Sequence, residues 1–281
     1  MAKKKDTTKQ PNMENLQRFA AAQAIVCDLD GTLYLEDGPI QGALQFLDKV
    51  ISSHRQLYYF TNNTSISRQR WLGKLHELGF PVKNHQLITS ADCADAYLKR
   101  NDLYPRIYLV GNRDLQQDFE ERGFRCLTED EALSHDPYAV VLGFDTELTY
   151  EKIYTCYQLL IKGIPYIATH PDILCPVTHT TFKPDVGSFI ALFETACGRR
   201  PIVVGKPTRE AVRFICEKSH LPVSLIAFIG DRLYTDIQMA VESGMISVLV
   251  LSGETTSALL ASSSLKPELV VDSVADLTTI L

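Results

Sequence analysis

Two aspartates separated by one residue, Asp28 and Asp30, follow an apolar run at 24–27 and precede Gly31. Carboxylates held this close repel each other unless a cation or a shared proton compensates, and a hard divalent ion such as Mg2+, which takes oxygen ligands, suits them. Read alone, the segment also fits an Asx-turn that closes a strand. Thr61 and Asn62 open a polar run, completed by Asn63, Thr64 and Ser65, ahead of a helical pattern. A hydroxyl and unpaired backbone N–H groups there can cradle an anion, although such runs also serve as plain helix caps. Lys206, between Gly205 and Pro207, stands just before another helix start and supplies a cation or an ordinary solvated side chain. A further apolar run at 226–229 ends in Gly230-Asp231, with Asp236 five residues on; either acid can instead cap a helix.

Residues so far apart in the chain meet only if rigid elements carry them to one place. Apolar, β-branched runs at 24–27, 57–60, 107–110, 139–142, 166–168, 226–229 and 246–251 alternate with segments of helical periodicity. This pattern predicts an α/β fold with parallel strands buried on both faces, a class that gathers its ligands at the carboxyl edge of the sheet. Ser67 caps a predicted helix that turns Trp71, Leu72, Leu75 and Leu78 to one face and stops at Gly79. Thr208 opens another, and Gly123 and Gly163 end helices that begin near Asp114 and Tyr150. The turn-rich 79–81 region and the stretch 170–184, with Pro171, Pro176 and Pro184, mark boundaries. Residues 84–178 are therefore expected to form a smaller α/β unit inserted into a core made of 21–83 and 179–281. Residues 1–20 are expected to be a flexible tail, with Lys3, Lys4 and Lys5 solvated and no apolar stretch of the signal-peptide kind.

Composition narrows the partners. The 281 residues are 45% hydrophobic and 22% charged, and 34 acidic against 28 basic side chains leave a formal net charge of −6. Nucleic acid and anionic lipid are not expected to bind such a surface. Seven cysteines occur singly, without a C-x-x-C pair, as in a cytoplasmic protein with reduced thiols and no structural zinc. No apolar run approaches the roughly 18 residues of a membrane span.

Taken in order, Asp28-Leu29-Asp30-Gly31-Thr32, Thr61, Lys206, and Gly230-Asp231 with Thr235-Asp236 resemble the four motifs of the haloacid dehalogenase (HAD) superfamily. Four further segments resemble the NagD-type, or p-nitrophenylphosphatase-like, phosphatases. They are Val141-Leu142-Gly143-Phe144-Asp145, Ala168-Thr169-His170-Pro171-Asp172, Pro184-Asp185-Val186-Gly187 and Gly205-Lys206-Pro207, with His170 where a common form carries Asn. The resemblance implies a Rossmann-like parallel-sheet core with an α/β cap inserted between the second and third motifs. It also implies a Mg2+-dependent phosphatase acting on small phosphorylated metabolites through an aspartyl-phosphate, with Asp28 as nucleophile and Asp30 as general acid and base. Mg2+ would rest on Asp28, the Asp30 carbonyl and Asp231, with Asp236 in support. Lys206, the Thr61 hydroxyl and the N–H groups of Leu29 and Asn62 would hold the phosphoryl oxygens.

An alkoxide leaving group needs a proton that a halide does not, so an acid at position 30 favours phosphatase over dehalogenase chemistry. Residues 33–59 leave too little room for the helical cap usual in mutases. Asp145, His170 and Asp172 are candidate substrate contacts in the cap; alternatively, His170 and Asp172 order a Pro-rich hinge. His179 is read as a surface or structural residue. The contrasting expectation is a metabolite-binding or regulatory protein that keeps the fold with negligible turnover, and a homodimer formed through the cap is compatible with either.

Overall fold

Apolar strands with no alternation must be covered on both faces, and the computed structural model, which describes residues 12–176 and 181–281, covers them. Six strands form one parallel sheet in the spatial order Leu269–Val271, Ile246–Val250, Ile226–Gly230, Ala24–Cys27, Gln56–Thr61, Leu87–Thr89. Numbered along the chain this is 6-5-4-1-2-3, the doubly wound order whose direction reverses between the first and fourth strands. Ala24 to Cys27 pairs with Ile226 to Ile229 on one side and with Gln56 to Tyr59 on the other, so the ends of these three strands lie level. Asp28 and Asp231 each follow one of those ends.

A second parallel sheet runs Ile202–Val203, Tyr166–Ala168, Ala139–Leu142, Arg106–Val110, Arg125–Cys126. Its membership displaces the expected insertion of 84–178 toward the C-terminus. Leu87–Thr89 hydrogen-bonds into the first sheet, and the helix Ser90–Arg100 packs against the first unit's helix Arg209–Ser219. Conversely, the helix Val186–Cys197 and the strand Ile202–Val203 belong with the second sheet. The proline-rich stretch that looks like a boundary is an antiparallel hairpin, Leu174–Pro176 with Phe182–Pro184, inside the second unit. Prolines at an edge hairpin cost no ladder bond in a central strand, so composition alone cannot tell the two apart.

The expectation of a flexible tail over 1–20 is also corrected for its second half. Met13–Ala20 is a helix capped by the Asn12 side chain, with Phe19 fully buried and Arg18 paired to Glu268 at 2.7 Å. The polar stretch is amphipathic: Leu16 and Phe19 fall on one face and pack onto the first sheet's core. Lys3, Lys4, Lys5 and His179 lie outside the described residues.

The predicted caps and stops are present. Ser67 and Thr208 each accept a bond from the first turn, and Gly79, Gly123 and Gly163 follow their helices with positive φ; the helix expected to begin near Tyr150 is capped by Thr149. Among the described residues no helix is long and apolar enough to cross a membrane.

Candidate active site

Three strand ends of the first sheet and one loop entering the helix Arg209–Ser219 converge on Lys206. Its ammonium is buried and donates to Asp28 Oδ1 at 2.5 Å, to Asp236 Oδ1 at 2.7 Å and to the Phe60 carbonyl at 3.3 Å. The rings of Phe60 and Phe228 flank it. Asn62 fixes the Lys206 backbone from both sides, its Oδ1 accepting from Lys206 N at 3.0 Å and its Nδ2 donating to Lys206 O at 3.1 Å. Burial works against the charge on Lys206, but Asp236 and Asp28 hold its pKa above the ordinary lysine value.

The acids are crowded. Carboxylate oxygens of Asp28, Asp231 and Asp236 lie within 4.8 Å of one another. Burial pushes Asp28 well above the usual carboxylate range; Lys206 opposes this, while Asp236 and Asp231 add to it. Burial, then Asp236 beside it, pushes Asp231 up to about 7. Asp236 sits on a single π turn, Leu233–Ile237, its Oδ2 accepting from Arg232 N at 3.2 Å. Asp231 Oδ2 accepts from Glu254 N at 2.6 Å, whereas its Oδ1 is buried with no partner among the described residues. Three carboxylates against one contacting ammonium, with an orphaned oxygen among them, are a donor set that fits a hard divalent cation.

The residues expected to cradle an anion lie on the neighbouring strand and the turns beside it. The Thr61 hydroxyl accepts from Asn63 N at 3.1 Å, which leaves its own proton free to donate outward. Among the described residues the backbone N–H groups of Leu29 and Asn62 have no partner. A cavity of about 60 Å3 is lined by Asp28, Asp30, Thr61, Asn62 and Lys206 from the first unit and by Asp172, Cys175 and Asp185 from the second. Its size suits one tetrahedral anion with little else.

The cap candidates separate. Asp172 lines the cavity, accepts from Asn62 Nδ2 at 3.3 Å and faces Arg232 at 3.7 Å. His170 does not reach the cavity: it is fully buried behind Asp172 and Asp185, each 3.6 Å from one of its ring nitrogens. Asp145 lies apart, its carboxylate accepting from Lys152 Nζ and from Glu147 N at 2.7 Å each, and it lines neither this cavity nor the cleft beside it. A polar residue at a strand end is equally at home capping its own loop, which is why spacing did not distinguish Asp145 from Asp172.

Sequence reading gave no site role to Arg232, Asp185 or Gly253, and took Gly31 only as a member of its motif. Arg232 lines the cavity and pairs with Glu254 at 3.1 Å, and Asp185 lines it from the second unit. Gly31 and Gly253 leave the space that the Asp231 carboxylate fills, since a Cβ on either would overlap it. The adjacency of Arg232 to Asp231 was a visible signal; that of Gly253 was not.

These features accord with known proteins. A haloacid dehalogenase-like hydrolase model matches residues 25–125, and a HAD-hydrolase-like model matches 203–277. The crystal structure of 4-nitrophenylphosphatase from Thermotoga maritima is 36% identical, with a TM-score of 0.87 over 93% of this chain and 98% of that one. Glycerol-3-phosphate phosphatase of Gallus gallus is 29% identical over 92% of both chains. Phosphoglycolate phosphatase 1A of Arabidopsis thaliana is 28% identical over 92% of this chain and 77% of its own. The chain belongs to the haloacid dehalogenase-like hydrolases, in the branch that holds the NagD and p-nitrophenylphosphatase structures.

Proposed function

We propose that this protein is a Mg2+-dependent phosphatase that hydrolyses small phosphate monoesters through an aspartyl-phosphate on Asp28. The observation that carries the reading is the buried Lys206 ammonium, bonded to Asp28 and Asp236 beside the partnerless oxygen of Asp231, on the wall of an anion-sized cavity.

Charge decides what the site needs. Two like charges 4 Å apart cost about 4 kcal/mol at an effective dielectric near 20, so a phosphate dianion cannot approach ionised Asp28 unaided. Mg2+ held by Asp28, the Asp30 carbonyl and Asp231, with Asp236 behind them, supplies that neutralisation when bound. Lys206 contributes a fixed positive charge, and the Thr61 hydroxyl with the Leu29 and Asn62 N–H groups is placed for the equatorial oxygens. Asp28 Oδ then attacks phosphorus while the bond to the ester oxygen breaks, and Asp30 gives that oxygen its proton. In the second half Asp30 takes a proton from water, whose oxygen attacks phosphorus; the phosphorus bond to Asp28 breaks and inorganic phosphate leaves.

The second unit, carrying Asp172, Cys175 and Asp185 over the sheet edge, acts as a cap that limits access to small esters. The relatives' names support this size class, naming phosphoglycolate, glycerol 3-phosphate and 4-nitrophenyl phosphate. All seven cysteines are free, which supports a reducing, cytoplasmic setting.

Phosphate release from p-nitrophenyl phosphate tests the reading. Turnover is expected with Mg2+, to vanish on chelation, and to fall at least about 10⁴-fold in Asp28→Asn. Wild type releasing no more than the variant would favour a binding protein instead.

A further inference from the structure

Beside the phosphoryl cavity lies a cleft of about 730 Å3 that shares Asp30, Asn63, Cys175, Pro176 and Arg232 with it. A leaving group attached to a phosphoryl in the cavity has this adjoining cleft to extend into. Tyr34 and Trp71 line it, both nearly buried, and Lys74 stands over them. The Lys74 ammonium is 4.2 Å from the Tyr34 ring centroid and 5.0 Å from that of Trp71, and it donates to Tyr34 Oη at 2.8 Å.

Lys74 differs from Arg232, the cation nearer the phosphoryl cavity. Arg232 is held by Glu254 at 3.1 Å and faces Asp172 at 3.7 Å. Among the described residues no carboxylate pairs with Lys74, whose one bond is to a neutral phenol. Ring faces orient an ammonium but leave its other two protons without acceptors. A half-buried cation so arranged gains most from an incoming anion, because a charge-assisted bond replaces water it has already partly lost.

We propose that Lys74 determines specificity by anchoring a second anionic group, a carboxylate or a phosphate, on the leaving group of a phosphate monoester that extends into this cleft. The inference rests on the phosphatase reading for its consequence but can be tested without turnover. Because the Tyr34 hydroxyl that Lys74 bonds also faces Asp30, the readout is the preference between esters and not turnover alone.

Three esters test it: phenyl phosphate, 4-carboxyphenyl phosphate and 1,4-phenylene bisphosphate, assayed with Mg2+ on wild type and on Lys74→Met. The preference for an anionic ester, kcat/KM relative to phenyl phosphate, is expected to fall about tenfold in the variant, mainly through KM. Lys74→Arg is expected to retain most of it. The carboxylate and phosphate arms tell which anion the subsite takes. An equal loss on all three esters, the mark of a purely structural lysine, would overturn the proposal, as would an unchanged preference. Calorimetric titration of the same esters into Asp28→Asn, with and without Lys74→Met, separates the two readings. If wild type hydrolyses none of them yet binding in Asp28→Asn retains a Lys74-dependent preference, the phosphatase reading fails and the subsite stands. If that preference is absent, the subsite fails.

Discussion

Asp231 explains two glycines that lie far apart in the chain. A Cβ at Gly31 or Gly253 would overlap its carboxylate, and Gly31 also has φ +81°, which disfavours any L side chain. Gly31→Ala is therefore expected to shift Asp231 and lower kcat/KM about 100-fold, the cost of a misplacement near 1 Å. Gly73 is the control: it lies in the helix Arg68–Glu77 with open space around its would-be Cβ. Gly73→Ala is expected to keep activity and to stabilise the protein by about 1 kcal/mol. Phosphate release and thermal melts on the two variants check both statements; full activity in Gly31→Ala would show that Asp231 need not hold its place. Lys206 illustrates a different point at the same level. Its bonds to Asp28 and Asp236 make it the group that keeps two repelling carboxylates together, a role visible only once their distances are known.

Between elements, Asp92 is the junction. On the helix Ser90–Arg100, its carboxylate accepts from Arg68 Nη1 at 2.8 Å and from Arg122 Nη1 at 2.7 Å. Arg68 opens the helix Arg68–Glu77 of the first unit, whereas Arg122 closes the helix Arg113–Glu121 of the second. The backbone N–H of Arg68 also donates to Asp118 at 3.0 Å. Burial pushes Asp92 up, but Arg122 and Arg68 outweigh it and hold its pKa below the usual carboxylate value. A depressed folded-state pKa means that the stabilisation is fully present above the unfolded value, about 3.9, and is lost as pH falls through the lower folded one. Asp92→Asn is expected to cost about 3 kcal/mol at neutral pH, since it leaves two guanidinium groups without their shared anion. The gap between wild type and variant in urea unfolding should close below about pH 4. A gap that stayed constant down to pH 2 would assign the loss to packing.

Across the molecule, one apolar cluster passes from the first sheet to the second. Val26, Phe60 and Phe228 belong to it, and so do Leu109, Val141 and Ile167. The inserted unit thus shares buried surface with the core as well as the polar clamp at Asp92. Shared burial couples the unfolding of both units, since neither can lose its packing without exposing the other's. A single transition in urea is expected, with far-UV circular dichroism and the fluorescence of Trp71, the chain's one tryptophan, coinciding. Two resolved steps would mean that the units unfold independently.

The strands at 24–27, 139–142 and 166–168 were legible in the chain to the residue, because each is an apolar run flanked by polar or turn-forming residues. The caps at Ser67 and Thr208 and the stops at Gly79, Gly123 and Gly163 were open to local reading because their chemistry acts within a turn. So were the acids at strand ends. The edge strands Leu87–Thr89 and Ile202–Val203 were not, since which sheet an edge strand joins is set by neighbours distant in sequence. That is why the inserted unit begins and ends later than its composition suggests. The local pattern fixed which residues could do chemistry. Long-range packing chose among them: it brought Lys206 to Asp28 and Asp236, put Asp172 on the cavity wall, buried His170 behind it and turned Asp145 to Lys152, because through-space distances of a few ångströms are set by the whole fold and by no segment of it.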